Sequence, residues 1–169
     1  MNLLYQTIPS INIEILIPDF KGNFNALQKV LQVKPAVLNH NLETVKYLYS
    51  KVRPQADYYR SLTLLAKAKE FSDEILTKSG IMVGLGETPA MVLELLKDLR
   101  KVGCDILTIG QYYQPTHQCL PVNKYLSSED FAYYQEKAYE LGFKYVAAGP
   151  FVRSSYQAGY IYQLIKESH

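Results

Sequence analysis

Ser79-Gly80-Ile81-Met82-Val83-Gly84-Leu85-Gly86-Glu87-Thr88-Pro89 decides the fold. Ser79 to Val83, with the apolar run Ile81, Met82 and Val83, reads as a strand. Gly84 and Gly86 interrupt it with turn chemistry. Thr88 is a good helix N-cap, and Pro89 suits the first turn, where its missing N–H leaves no bond unmade. Leu93, Leu96, Leu99 and Arg100 continue at helical spacing to Gly103, a stop signal. Ile106-Leu107-Thr108-Ile109 then reads as another strand. Strand, tight turn, helix and strand make one βα unit, which predicts parallel pairing and a right-handed crossover.

The same rhythm runs outward in both directions. Ile11, Ile13, Ile15 and Ile17 alternate with Asn12, Glu14 and Leu16, predicting a strand over 11–18 that ends in the turn Pro18 to Asn23. Asn23 caps a helix with Leu27, Val30 and Leu31 inward, and Ala36-Val37-Leu38-Asn39 is a second short strand. A helix with Val45, Leu48 and Tyr49 ends before Pro54, and another over about 58–71 places Leu62, Leu65, Ala66 and Lys69 on one face. Beyond a polar loop over 111–127, a helix over about 129–141 is capped by Ser127 or Ser128 and stopped by Gly142. Tyr145 to Ala148 is the last strand and 155–166 the last helix. The expected fold is α/β: a single domain over 1–169, built as a partial parallel (β/α) barrel of about five βα units. Helices must cover one sheet face, and the other must curl or be covered. The first strand leaves an apolar edge, an association hazard, which Met1 to Ser10 are too few and irregular to cover.

Composition narrows the function. A 48% hydrophobic and 20% charged chain reads as a soluble globular domain, and a net charge of +2 with scattered Lys and Arg gives no case for nucleic acid. No apolar stretch nears the ~20 residues of a membrane span, and no basic segment precedes an apolar core at the N-terminus, so neither a membrane partner nor a signal peptide is expected. Two cysteines, Cys104 and Cys119, make neither a disulfide framework nor a metal pair, and a reducing, cytoplasmic setting is the default. Cys104, between Gly103 and a strand, reads as a small buried residue, and Cys119 as exposed. His117 and His169 lack partners at metal-ligand spacing, and His40 reads as structural.

In parallel α/β barrels ligands gather at the carboxyl ends of strands. The polar clusters fall there: Pro18-Asp19, Asn39-His40-Asn41, Gly84 to Glu87, Gly110-Gln111-Tyr112, and Gly149 to Ser155. Amides both donate and accept, which suits adenosine, ribose and amino-acid groups, although Asn41 could equally cap the next helix. Gly84 and Gly86 allow close backbone approach, and the helix starting after Thr88 offers free N–H groups, although a plain strand-and-turn accounts for the same residues. Arg153-Ser154-Ser155 could be a surface arginine and a helix cap. No Gly-x-Ser-x-Gly elbow is present, which argues against a hydrolytic serine.

The ordered set is more specific than its parts. Leu16-Ile17-Pro18-Asp19-Phe20, Asn39-His40-Asn41-Leu42-Glu43-Thr44-Val45, Val52-Arg53-Pro54, Thr77 to Thr88, Leu107-Thr108-Ile109-Gly110-Gln111-Tyr112, Leu120-Pro121-Val122 and Gly149-Pro150-Phe151-Val152-Arg153-Ser154-Ser155-Tyr156 resemble the C-terminal portion of lipoyl synthase, from about Ile11 to Ile165. Gly80 to Glu87 resembles the G-x-I-x-G-x-x-E pattern of radical S-adenosylmethionine barrels, with Met82 for Ile. The resemblance implies a radical S-adenosylmethionine (SAM), TIM-like barrel that inserts two sulfur atoms into an octanoyl chain on a lipoyl-carrier domain. It implies SAM and two [4Fe-4S] clusters in the complete enzyme. Both sets of cluster-binding cysteines lie in the family's N-terminal half, so neither cluster is expected to be held by this chain alone. It further implies that Ser155, with Ser154 as the fallback, ligates the auxiliary cluster, and that Arg153 orients this motif or meets substrate. Asn39, Asn41, Gly84, Gly86 and Glu87 would line the SAM pocket. The expected partners are the octanoylated carrier domain and a missing N-terminal half or companion chain. The alternatives are a catalytically inactive half-barrel that docks a carrier domain or companion chain, or a metal-free nucleotide binder.

Overall fold

β3 (Leu76–Val83), α5 (Pro89–Lys101) and β4 (Ile106–Gln111) form the expected unit in a computed structural model, which describes residues 1–167. Thr88 Oγ1 accepts the Met91 N–H at 3.4 Å, and Pro89 opens the helix. β3 pairs with β4 in parallel, from Lys78 opposite Ile106 to Val83 opposite Gln111. The strand starts at Leu76 instead of Ser79. Thr77 and Lys78 disguise its beginning because their polarity is satisfied by distant residues. The N–H and hydroxyl of Thr77 donate to Asp105 at 2.9 and 3.3 Å, and Lys78 donates to Glu14.

β1 (Glu14–Leu16), β2 (Val37–Asn39) and β5 (Tyr145–Gly149) complete one five-stranded sheet, all parallel, in the order β1-β2-β3-β4-β5. Each connection advances by one strand, as in a barrel wall. α2 (Phe24–Leu31), α4 (Tyr58–Phe71), α5 and α6 (Ser128–Glu140) pack on one face through Leu31, Leu65, Leu96 and Phe131, against Leu38, Leu107 and Val146 of the sheet. α7 (Ala158–Glu167) covers the lower part of the other face, where Ile161 and Ile165 bury Val37, Leu76 and Ile106. The upper part of that inner face carries Asn39, Gly80 and Thr108. The chain is thus α/β with the partial βα-barrel architecture expected.

Several boundaries differ from expectation. β1 spans three residues because β2 offers only Val37–Asn39 to pair with. Its alternation holds, since Ile15 and Ile17 pack on the core while Leu16 is exposed. β1 and β5 each have one unpaired edge within this sheet. Residues 1–10 are not wholly irregular: α1 (Asn2–Thr7) forms, and the Tyr5 hydroxyl donates to the Lys34 carbonyl at 3.0 Å. The helix expected before Pro54 is a 3-10 turn (Lys46–Leu48) leading into the four-residue α3 (Tyr49–Val52). α7 begins at Ala158 instead of 155, because Gln157 has a left-handed φ of 45° that interrupts helical geometry. No helix among the described residues is long and apolar enough to cross a membrane. His169 lies outside the described residues.

Candidate functional site

Strand alternation sorts the Asn39-His40-Asn41 cluster between two faces. His40 points into the helical layer and is buried. Its Nδ1 donates to the Ile17 carbonyl at 2.9 Å, which leaves Nε2 as acceptor for the Ser61 hydroxyl at 2.9 Å. Burial holds its pKa below the ordinary value, so His40 is a neutral, structural imidazole, as expected. Asn39 and Asn41 turn to the inner face. Asn41 Oδ1 accepts the Gly80 N–H at 3.0 Å. A Cβ on Gly80 would stand 2.8 Å from Thr108 Oγ1 and 2.9 Å from Asn41 Oδ1, so a side chain here would collide with both, and only glycine fits between them. Asn39 is 1% exposed and its Oδ1 has no hydrogen-bond partner among the described residues.

The Gly84–Glu87 turn has a different character. The Glu87 carboxylate accepts the Gly84 N–H at 2.6 Å and the Leu85 N–H at 3.0 Å, so both its oxygens are engaged by the turn's own backbone. Gly84 has φ of 101°, and a Cβ there would run into the Gln111 amide and the Lys124 carbonyl. Gln111 in turn pins the loop after β4, donating to the Tyr112 and Lys124 carbonyls and accepting the Leu126 N–H. Gly86 is open: a Cβ there would lie 3.7 Å from its nearest neighbour, Asn123.

The segment after β5 folds over β4. A Cβ on Gly110 would strike the Val152 carbonyl and stand 2.9 Å from Arg153 Nη1. Arg153 donates to the Val152 and Pro150 carbonyls at 2.6 and 3.3 Å and lies over the Tyr113 ring at 5.6 Å. Its guanidinium therefore braces its own loop. Ser155 is exposed and Ser154 half-buried, and no side-chain hydrogen bond is seen to either hydroxyl among the described residues. Gly110 lies two residues beyond Thr108 on β4, so this motif adjoins the Asn41, Gly80 and Thr108 group. Beside it a cleft of about 430 Å³ is lined by Glu43, Arg53, Met82, Leu85, Tyr112 and Cys119, among others. Sequence reasoning gave these residues no role as a set. Glu43 extends the rim through a parallel bridge to Ile81, its N–H donating to the Gly80 carbonyl and its carbonyl accepting the Met82 N–H. The signal available was a polar residue just past a strand's carboxyl end.

Over 151 residues the chain is 57% identical to the lipoyl synthase of Caldanaerobacter subterraneus, covering 89% of this chain and 53% of that protein. It is 55% identical over 146 residues to the lipoyl synthase of Alkaliphilus metalliredigens, covering 86% and 50%. It is 49% identical over 158 residues to that of Aquifex aeolicus, covering 94% and 57%. Nearly the whole chain is thus similar to lipoyl synthases. It spans about half the length of the curated relatives it matches. No protein-family model matches it.

Lipoyl synthase homology implies SAM and iron–sulfur clusters in the full enzyme, and the inner face can be tested against each. For SAM the chemistry of the residues fits: amide and hydroxyl groups from Asn41 and Thr108 meet beside Gly80, and Asn39 adds an orphaned buried acceptor. For a cluster it does not. The described residues include no group of three or more His, Cys, Asp or Glu side chains that could hold a metal ion. Cys104 is fully buried, its thiol pushed up to about 12 by burial, and Cys119 lies exposed in the loop after β4.

Proposed function

We propose that this chain is the C-terminal part of a lipoyl synthase, the enzyme that inserts two sulfur atoms into a protein-bound octanoyl chain. The observation that carries the reading is 49–57% identity to lipoyl synthases across roughly nine-tenths of the chain. The unpartnered, buried amide oxygen of Asn39 on the inner face supports it. In this reading Asn39, Asn41 and Thr108 hold the adenosyl and amino-acid groups of SAM, which supplies the oxidising radical when bound. Gly84, Gly86 and Glu87 shape the rim beside that pocket. Ser155, or Ser154 in its place, offers the exposed hydroxyl to the auxiliary cluster, and Arg153 holds the loop that carries it. The octanoylated carrier domain is the substrate, and a polypeptide bearing the cysteine triplets is the partner that brings the clusters.

The test is co-expression with such a cysteine-bearing half, with lipoyl groups on an octanoylated carrier domain read by mass spectrometry. Lipoyl product is expected from the pair and none from this chain alone. In the pair, Ser155→Ala is expected to spare SAM cleavage and abolish sulfur insertion. A pair that takes up no iron and forms no product defeats the proposal, and loss on Ser154→Ala instead moves the ligand by one residue.

A further inference from the structure

Glu14, Asn39 and Lys78 come from three adjacent strands and meet on the inner face. Leu16 pairs with Asn39 and Asn39 with Lys78, while Glu14 reaches across β2 from one step lower. The Lys78 side chain has no solvent exposure and donates to both Glu14 carboxylate oxygens, at 2.9 and 3.0 Å. Glu14 Oε1 also accepts from Asn39 Nδ2 at 3.4 Å. A carboxylate only accepts, so the amide must present its NH₂ group to Glu14. That fixes the amide's sense and leaves Asn39 Oδ1 buried without a partner among the described residues. An unpaired buried acceptor is unfavourable unless a donor arrives.

We propose that Glu14 and Lys78 are positioning residues: Lys78 holds the Glu14 carboxylate, and the carboxylate polarises the Asn39 amide so that its oxygen accepts from a hydroxyl or ammonium group of an adenosyl ligand. This rests on the SAM reading of the inner face. It gives a role to an ion pair set against the Asn39 amide on the inner face.

The experiment titrates SAM calorimetrically into the 169-residue chain, with folding checked by circular dichroism. In Glu14→Gln the new NH₂ group can donate to Asn39, the amide turns over, and its acceptor is lost to the ligand. Binding is expected to weaken about tenfold. Adding Asn39→Asp, which has acceptors on both sides, is expected to restore it, a rescue that a merely structural role would not produce. Where Glu14→Gln does not fold, Glu14→Gln with Lys78→Met removes the buried ion pair as a whole and is expected to show the same loss. Wild-type affinity in a folded Glu14→Gln or paired variant, or no rescue by Asn39→Asp, overturns the proposal while leaving the SAM reading intact. Absence of SAM binding by the wild-type chain counts against the SAM reading instead. The positioning claim is then decided by the Asn39 side-chain NH₂ protons in NMR exchange. Slow exchange that becomes fast in Glu14→Gln supports it, and fast exchange in the wild type overturns it.

Discussion

Glu87 closes the turn that Gly84 opens: its carboxylate takes the Gly84 N–H at 2.6 Å, three residues back along the chain. The G-x-I-x-G-x-x-E spacing thereby acquires a local physical meaning, since the acid satisfies backbone donors that the sharp turn would leave unpaired. Glu87→Ala frees both donors and is expected to lower unfolding free energy by about 2 kcal/mol, measured by urea denaturation. A loss below about 0.5 kcal/mol would show that water replaces the carboxylate without cost.

The two glycines of that turn should differ. Both have positive φ, 101° at Gly84 and 110° at Gly86, so alanine is strained at either by about 1–3 kcal/mol. Only Gly84 also lacks space, being backed by Gln111 and Lys124. Gly84→Ala is therefore expected to cost about 1–3 kcal/mol more than Gly86→Ala. Equal midpoints and slopes in denaturant for the two variants would contradict this.

His40 sets a pH dependence. Burial lowers its folded pKa from 6.5, so the unfolded chain binds this proton first. Its contribution is complete above about pH 6.5 and is lost as pH falls toward the folded value. Wild type is expected to be less stable at about pH 5 than at about pH 8, with His40→Gln flattening that interval. Asp19 acts in the same direction at lower pH. Burial raises its pKa, but the Lys21 N–H and the Arg60 guanidinium outweigh that and hold it below 3.8. Its contribution is present above about pH 3.8 and is lost as pH falls through the lower folded value.

Removing either member of the Glu14 and Lys78 pair should destabilise, and unequally. Glu14→Ala strands a fully buried ammonium and is expected to destabilise by about 3–5 kcal/mol. Lys78→Met leaves a carboxylate that is 20% exposed and can recruit water, so it should cost less. Thermal and urea unfolding of the two single variants tests the order, and a reversed order would contradict it.

The cysteines should react separately. Cys119 is exposed and Cys104 is buried with its thiol pushed up to about 12 by burial. Iodoacetamide is expected to add once to native protein and twice in denaturant, read by intact mass. Two rapid native additions would mean that the sheet opens around Cys104.

Local chemistry alone determined much of this protein. Thr88, Pro89 and Gly103 delimit α5, the isoleucine alternation marks β1, and the repeated strand–helix rhythm demands a parallel sheet, because each signal is written within one or two turns of chain. The ordered motifs also carried the likeness to lipoyl synthases. The tertiary structure alone decided which polar residues face a ligand and which serve the fold. Asn39 and His40 are adjacent in sequence, yet one lines the inner face and the other bonds Ser61 in the helical layer. Glu14 and Lys78 are 64 residues apart and have no shared periodicity, so their pairing, and the start of β3 that it permits, exists only once three strands lie side by side. Periodicity and capping act over neighbouring residues, whereas desolvation and hydrogen bonding are settled by whatever the fold brings into contact.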